Sequence, residues 1–359
     1  MRGIKNIEIS NFRGIEHLKI DDLARVNVLL GQNNSGKSTV LESIAMLMSM
    51  SNPDAPQLLN SSRTRKPFSN FIDIKYFFRN LDVSLAPQLN ATHSDSTGRS
   101  LRMGLTYVFD EKAEPDKEPI QQTGSAVRYV NTLELNFDVK KNNSIQSYKC
   151  WLRVNPSGMV VNRKYADGYL EQDRAFLISA DLMSSNLVND LTELFKRNNK
   201  DSVLALLKLF DNRINGIEIL KDDVYIGFEG LSEMLPSGMA GDGLRRYLNI
   251  VAAAANPLNN MILIDEIDNG IHYSAYTKLW SAIFALALNT DKQIFVTTHS
   301  QETLNSLNYV LENAAQYQDE LRLYTLENTR LKGLQAYKYT YQGLKDACEN
   351  NIELRSIVQ

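Results

Sequence analysis

The sequence predicts an α/β fold in which a mixed or parallel central sheet is interrupted by an inserted α+β segment. Residues 26–30 form an apolar, β-rich run that stops at a glycine-rich turn, and apolar positions with helical spacing follow from residue 37. From residue 235 onwards, apolar strands alternate with helical segments, which indicates a parallel sheet. The residues between these regions contain strand candidates joined by turn signals, which favours an antiparallel meander.

The individual elements follow from the same patterns. Ile7 and Ile9 alternate with polar residues and predict an N-terminal strand. In the middle of the chain, strands are predicted at 101–109, 132–139, 147–154 and 159–162, and a mainly helical stretch at 176–210. Further on, the patterns predict helices at 243–255, 273–288 and 300–312 and strands at 261–264 and 293–297. From about residue 235 the chain therefore returns to the alternation of strand and helix with which it begins.

Composition and charge exclude several classes of protein. The 359 residues carry 39 Lys and Arg against 42 Asp and Glu, a formal net charge of -3, whereas a protein that coats nucleic acid usually has a basic excess. Cys150 and Cys348 are too few for a disulfide framework, which favours a reducing compartment. No signal-peptide pattern and no apolar run of membrane-spanning length is visible. We expect a cytoplasmic protein without a membrane partner.

The glycine-rich turn at 31–38 matches the phosphate-loop pattern G-x-x-x-x-G-K-[ST] in full. Glycines allow the backbone N–H groups to face an anionic oxygen, and the following helix adds its positive N-terminal end. We expect Lys37 to reach the β- and γ-phosphates of a nucleotide and Ser38 to ligate Mg²⁺. The candidate nucleotide contacts of the loop are Asn33, Asn34, Ser35, Gly36, Lys37, Ser38 and Thr39.

Two carboxylates follow the apolar strand at 261–264. Ligands bind outside the carboxyl ends of parallel strands, so Asp265 is expected beside the phosphate loop, where it can hold Mg²⁺ together with Ser38. Glu266 is placed to polarise the water that attacks the γ-phosphate. The alternative is an acid-rich start of a helix, which is common.

A histidine follows the next strand, at 293–297. His299 is expected at the same edge of the sheet, where it can contact the γ-phosphate, although a lone histidine is usually structural. His272, just past the acidic pair, can equally cap a helix or face a partner subunit.

These motifs, in this order, resemble the ABC-type ATPase heads of the SMC, RecF and OLD (overcoming lysogenisation defect) group, specifically the OLD-like AAA ATPase branch. The segments that carry the resemblance are 11–14 (NFRG), 31–39 (GQNNSGKST), 241–246 (GDGLRR), 262–274 (ILIDEIDNGIHYS) and 297–300 (TTHS). The resemblance covers residues 1–50 and 225–359. It implies an ABC-type P-loop ATPase head made of two halves, 1–51 and 225–359, with the family's inserted α+β arm at about 52–224.

The resemblance also implies a mechanism. In the family, two heads meet around two ATP molecules, and each ATP is bound by one chain's phosphate loop and the other chain's signature segment. Gly241, Asp242 and Gly243 occupy the signature position, with Gly241 where ABC transporters have a serine. Arg13 would lie near the phosphates; the alternative is a solvated surface arginine. Gln57 and Gln88 are both candidates for the family's glutamine loop.

The expected function follows from this mechanism. About sixty residues follow His299, which favours a stand-alone ATPase without the Toprim nuclease domain of full OLD proteins. We expect Mg²⁺-dependent, slow ATP hydrolysis and a homodimer or higher homo-oligomer that regulates or scaffolds a separate effector, for example a nuclease, in bacterial anti-phage defence.

Three alternatives remain open. One is a DNA-binding RecF- or SMC-like ATPase of DNA repair, for which the local basic clusters at 63–66 and 140–141 are the clearest signals, although such clusters are usually solvated faces. The others are a scaffold that does not hydrolyse ATP, which the acidic pair disfavours, and a transporter subunit, which the missing serine disfavours.

Overall fold

The computed structural model describes residues 3–64, 72–109, 129–142, 144–155, 159–179 and 187–356. In chain order, the strands are β1 (Ile4–Phe12), β2 (Ile15–Asp21), β3 (Val26–Leu30), β4 (Gln88–His93), β5 (Gly98–Phe109), β6 (Tyr129–Lys141), β7 (Ser144–Val154), β8 (Val160–Lys164), β9 (Ala175–Ile178), β10 (Ile214–Leu220), β11 (Asp223–Phe228), β12 (Leu235–Pro236), β13 (Met261–Ile264), β14 (Gln293–Thr297), β15 (Leu321–Thr329) and β16 (Gly333–Tyr339). The α-helices are α1 (Lys37–Leu47), α2 (Ala55–Thr64), α3 (Ile72–Lys75), α4 (Leu187–Lys196), α5 (Lys200–Phe210), α6 (Asp242–Ala255), α7 (Tyr276–Thr290), α8 (Gln301–Asn313) and α9 (Tyr341–Glu349).

A mixed six-stranded sheet forms the centre, in the order β16-β15-β3-β14-β13-β9. Five of these strands are parallel to their neighbours, and β16 alone runs antiparallel, beside β15. Every residue of β3, β13 and β14 is buried, because helices or a second sheet cover both faces; such strands are continuous apolar runs. The predicted α/β fold with a mixed central sheet is confirmed.

A seven-stranded sheet, in the order β2-β1-β4-β5-β6-β7-β8, is antiparallel throughout. It contains the meander that the turn signals predict, as the consecutive hairpin strands β5 to β8. A third, small antiparallel sheet consists of β10, β11 and β12.

Helix α1 lies between the two larger sheets and contacts β1, β4 and β5 on one side and β9, β13 and β14 on the other. Nearly all of its residues are buried, which is typical of a helix covered on every side. Residues of the central sheet alternate between two apolar cores: Leu29 and Leu263 face α1 and the antiparallel sheet, whereas Val28 and Ile264 face α6, α7 and α8.

The middle of the chain contributes to both larger sheets. Strand β4 pairs with β1, and β5 to β8 continue the same sheet from β4. Strand β9 pairs with β13 in the central sheet. Hydrogen bonds between strands therefore link residues on either side of the predicted boundaries at 52 and 224. The division of the chain into 1–51, 52–224 and 225–359 stays a prediction of its domain organisation.

One predicted element is wrong at its start. The stretch 176–210 is predicted to be mainly helical, and α4 and α5 are helices, but Ala175–Ile178 is strand β9. A four-residue apolar run carries no period that separates a buried strand from a buried helix, and here pairing with β13 decides. None of the described helices is long and apolar enough to cross a membrane.

Candidate active site

The phosphate loop joins the carboxyl end of β3 to the start of α1, and its glycines are required by geometry. Gly31 has φ +146°, and a Cβ there would lie 2.4 Å from the Ser35 Oγ and 2.8 Å from the Leu326 carbonyl oxygen. Gly36 precedes α1 in a left-handed conformation, with φ +94°. The turn thus places the N-terminal N–H groups of α1 at the edge of the sheet, where a phosphate can bind them.

A cavity of about 680 Å³, within the range of nucleotide-sized pockets, opens at this loop. The structure brings together nine of the predicted site residues as its lining, which are Asn33, Asn34, Ser35, Gly36, Lys37, Ser38, Thr39, Glu266 and His299. Five further lining residues are not predicted as site residues, namely Gly14, Ile15, Arg63, Asn328 and Leu334.

Lys37 lies at the start of α1 with its side chain folded back onto the loop. Its Nζ donates hydrogen bonds of 2.8 Å to the carbonyl oxygens of Gly31 and of Gln32. Burial lowers the pKa of Lys37, and the nearby carboxylates of Asp265, Glu266 and Asp268 act in the opposite direction. A bound phosphate would offer this ammonium a stronger acceptor than the two carbonyls.

Asp265 lies at the end of β13 and meets the hydroxyls of two other elements. Its Oδ1 accepts hydrogen bonds from the Ser38 Oγ at 2.9 Å and from the Thr297 Oγ1 at 2.6 Å. A hydroxyl and a carboxylate oxygen at this spacing fit Mg²⁺, which prefers oxygen ligands and takes the remaining ones from water and phosphate. Accordingly, the described residues contain no group of three or more His, Cys, Asp or Glu side chains that could hold a metal alone.

Glu266 follows Asp265 in a left-handed backbone conformation, with φ 48°. Its N–H donates to the Thr297 Oγ1 at 2.7 Å, and its side chain lines the cavity. Asp268, two residues on, accepts a 2.7 Å hydrogen bond from the Thr298 Oγ1. The acidic segment is therefore anchored to the end of β14, and Glu266 lines the cavity from a left-handed turn.

His299 is exposed and lines the cavity at the end of β14. Strand β14 lies between β3 and β13, so His299 emerges between the phosphate loop and the acidic pair. The Arg355 Nη1 donates a 2.8 Å hydrogen bond to the His299 carbonyl oxygen. His272 instead caps a short helical turn, since its ring nitrogen accepts from the Ser274 N–H at 3.4 Å.

Arg13 is not among the residues that line the cavity, and its place near the phosphates stays a prediction from the family resemblance. Its Nε lies 2.7 Å from the Glu42 Oε2, its guanidinium lies 4.7 Å from the centroid of the Phe77 ring, and burial lowers its pKa. Arg63 pairs with both carboxylate oxygens of Glu42, through Nε to Oε1 and through Nη2 to Oε2 at 3.1 Å, and lines the cavity. The sequence indicated Arg63 only as part of a basic cluster, because the contact depends on how α2 packs on α1.

Gly241, Asp242 and Gly243 do not line the phosphate-loop cavity of their own chain. Gly241, with φ +90°, precedes α6, which begins at Asp242. Gly241 and Gly243 line a second cavity, of about 530 Å³. Of the two candidates for the glutamine loop, Gln57 lies on α2 and Gln88 begins β4, and neither lines the phosphate-loop cavity.

Comparison with known proteins places the chain in a family. Residues 26–305, well over half of the chain, match the family described as "AAA domain, putative AbiEii toxin, Type IV TA system". An "ATP/GTP phosphatase" of Helicobacter pylori is 27% identical over 334 residues, which are 86% of this chain and 88% of that protein. The DNA replication and repair protein RecF of Lactococcus lactis is 33% identical over 88 residues, 24% of this chain and 25% of RecF.

Among solved structures, an SMC head bound to the C-terminal winged-helix domain of ScpA aligns with 96% of this chain and 99% of its own, at 10% identity and a TM-score of 0.47. A structural similarity at this score is too weak to show the function of this chain. The family match does: the chain belongs to the AAA-domain family described above, and with its phosphate loop and acidic strand it is an ATPase of the AAA/ABC type.

Proposed function

We propose that this ATPase pairs with a second copy around ATP and Mg²⁺ and thereby controls a separate effector protein. The observation that carries the catalytic part is that Ser38 and Glu266 line one cavity and that Ser38 donates a hydrogen bond to the carboxylate of Asp265. Ser38 and Asp265 hold Mg²⁺, Glu266 acts as the general base towards water, and Lys37 and His299 contact the γ-phosphate.

The pairing rests on the position of the signature segment. Gly241 and Asp242 are exposed at the start of α6, where free N–H groups favour an anion, yet they lie away from the chain's own phosphate loop. A second copy placed face to face would bring this helix start to the nucleotide held by the first. Asn269 and Gly270, which match the family's D-loop just after the acidic pair, would then lie beside that nucleotide as well.

The effector and the role in anti-phage defence rest on family relationships. The description of the matched family names a toxin of a toxin–antitoxin system, and the OLD-like resemblance implies stand-alone ATPases that act beside a separate effector. Direct DNA binding as in RecF is the second candidate, supported by the partial similarity to RecF. Of the basic cluster at 63–66, however, Arg63 is engaged by Glu42, and residues 65 and 66 lie outside the described part of the chain.

The test is the variant Glu266→Gln, compared with Glu349→Gln, which changes an exposed carboxylate on α9. Glu266→Gln is expected to lose ATP turnover by a factor on the order of 10² to 10⁴ while it still binds ATP, because only the base is removed. Light scattering should then show a dimer with ATP and Mg²⁺. Full turnover in Glu266→Gln contradicts the assignment of the base, and a monomer at saturating ATP contradicts the pairing.

The effector is sought by capturing tagged Glu266→Gln with ATP from the native host, followed by mass spectrometry. A second protein in stoichiometric amount, absent without ATP, is the expected result. Recovery of the chain alone, together with DNA affinity that falls steeply with salt, supports the RecF-like function instead.

A further inference from the structure

Arg246 contacts the backbone of both acidic residues of the active site. It lies on α6, and its Nη2 donates hydrogen bonds to the carbonyl oxygens of Asp265, at 2.5 Å, and Glu266, at 3.0 Å. Hydrogen bonds from a charged donor are roughly twice as strong as neutral ones. Arg246 itself does not line the phosphate-loop cavity, and these two hydrogen bonds connect it to residues at the edge of that cavity.

The remaining groups of this segment are held by neighbouring strands. The Asp265 N–H donates to the Ile178 carbonyl oxygen at 2.9 Å, and the Glu266 N–H donates to the Thr297 Oγ1 at 2.7 Å. Residues of β9 and β14 therefore accept hydrogen bonds from the N–H groups of the turn, whereas Arg246 on α6 donates to its carbonyl oxygens. The Asn269 N–H also donates to the Glu266 carbonyl oxygen, at 3.0 Å. The carbonyl orientations matter because they set the dihedral angles of Glu266, a non-glycine residue at φ 48°.

The positive charge of Arg246 also favours holding the acidic residues in place. The carboxylates of Asp265, Glu266 and Asp268 all attract its guanidinium. The three carboxylates repel one another, and the guanidinium of Arg246 offsets part of this repulsion.

We propose that Arg246 is a positioning residue for ATP hydrolysis, which holds the carbonyl groups of Asp265 and Glu266 so that the Glu266 carboxylate points into the nucleotide cavity. The inference rests on the proposed role of Glu266 as the base. It differs from a nucleotide-binding role, because Arg246 contacts the turn and not the cavity.

The test compares Arg246→Gln and Arg246→Lys with the control Arg163→Gln, which removes an exposed arginine paired with Asp54. Misplacement of a catalytic group by about 1 Å can cost on the order of 100-fold in rate. We expect Arg246→Gln to lower kcat by about 10- to 100-fold, with KM and the affinity for a fluorescent ATP analogue changed less than about threefold. Arg246→Lys, which keeps the charge, should recover part of kcat, and the control should match the unsubstituted protein.

A double substitution separates positioning from a general structural effect. If Arg246 acts through Glu266, then Arg246→Gln should cause no further loss of single-turnover rate in the Glu266→Gln background. Independent, multiplying losses overturn the inference, as does an unchanged kcat in Arg246→Gln or a loss of nucleotide affinity equal to the loss of kcat. If thermal melting shows that Arg246→Gln does not fold, Arg246→Lys carries the test, with a lowered kcat at unchanged KM expected.

The outcomes also separate this inference from the proposed function. Full activity of Glu266→Gln refutes the base itself, whatever Arg246 does. An inactive Glu266→Gln with a fully active Arg246→Gln refutes the positioning role alone.

Discussion

The hydroxyl of Ser38 donates a 2.9 Å hydrogen bond to the carboxylate of Asp265, although 227 positions separate the two residues along the chain. The contact exists because β3 and β13 are parallel members of one sheet, with β14 between them, and their carboxyl ends reach the same edge. Thr297, at the end of β14, donates to the same carboxylate oxygen and closes the group. Three strands from distant parts of the chain thus build one oxygen-rich site beside the phosphate loop.

Asp265→Asn is expected to weaken the use of Mg²⁺. The amide keeps the shape of the side chain but removes the charge, so the Mg²⁺ concentration for half-maximal ATPase rate should rise by on the order of tenfold or more. The measurement is the rate against Mg²⁺ at saturating ATP. Asp222→Asn, in the exposed turn between β10 and β11, is the control. An unchanged Mg²⁺ requirement would argue against Asp265 as a metal ligand.

Lys37→Ala is expected to impair nucleotide binding. A hydrogen bond to a charged group contributes about 1.5–3 kcal/mol, so the affinity for ATP should fall by about 10- to 100-fold. Titration with a fluorescent ATP analogue measures this, and the rise in melting temperature with ATP should be lost in parallel. Lys345→Ala, which removes a partly exposed lysine paired with Glu349, should bind normally. Equal affinities of the two variants would contradict the role of Lys37.

Gly31→Ala is expected to destabilise the fold as well as the site. The added Cβ would lie 2.4 Å from the Ser35 Oγ and 2.8 Å from the Leu326 carbonyl oxygen, at a φ of +146°. Strain of this kind costs about 1–3 kcal/mol of the free energy of unfolding. Urea titration measures the loss, and Gly104→Ala, where nothing lies within 4 Å of the new Cβ, serves as the control. Equal stabilities in the two variants would rule out the strain.

Arg99→Met is expected to cost about 3–5 kcal/mol of the free energy of unfolding, because it removes the arginine from a buried ion pair. The Arg99 guanidinium is 2% exposed and lies 2.9 Å from the fully buried Asp173 carboxylate. It also donates to the carbonyl oxygen of Leu47, the last residue of α1, at 3.1 Å. The contact therefore joins β5 to α1 and to the segment that leads into β9.

Arg163→Met provides the comparison for this stability measurement. Its partner Asp54 is paired at 2.6 Å, but the arginine side chain is 46% exposed, and exposed pairs contribute at most about 1 kcal/mol. Chemical denaturation of both variants should therefore give clearly different midpoints. A similar small loss in both would mean that the buried pair does not tie the sheets together.

Much of the central fold could be predicted because its signals are local. The phosphate loop needs glycines at fixed positions, and β3, β13 and β14 are apolar runs ended by polar residues. The hairpins of the antiparallel sheet are likewise marked by the turn residues between their strands. Strand β9 lacked such a signal, because Ala175–Ile178 is too short to show a period and is a strand only through its pairing with β13.

The site shows the same division. Residues next to strand ends, such as Asp265, Glu266 and His299, could be placed from the chain because parallel strands share an edge. The presence of Arg63 at the cavity could not, since it depends on how α2 packs on α1, where Arg63 and Arg13 both pair with Glu42. No spacing rule links Arg246 to the backbone of Glu266 either.

The sequence by itself therefore determined the phosphate loop, the acidic pair and the alternation that makes the sheet parallel, because each depends on the conformation of a few consecutive residues. Only the tertiary structure decided that the middle of the chain joins both sheets, that Arg63 lines the cavity, and that Arg246 donates to the carbonyl oxygens of Asp265 and Glu266. Each of these contacts joins residues that are distant in the sequence and that only packing brings together. Burial and charge, rather than the order of the elements along the chain, determine which residues pair.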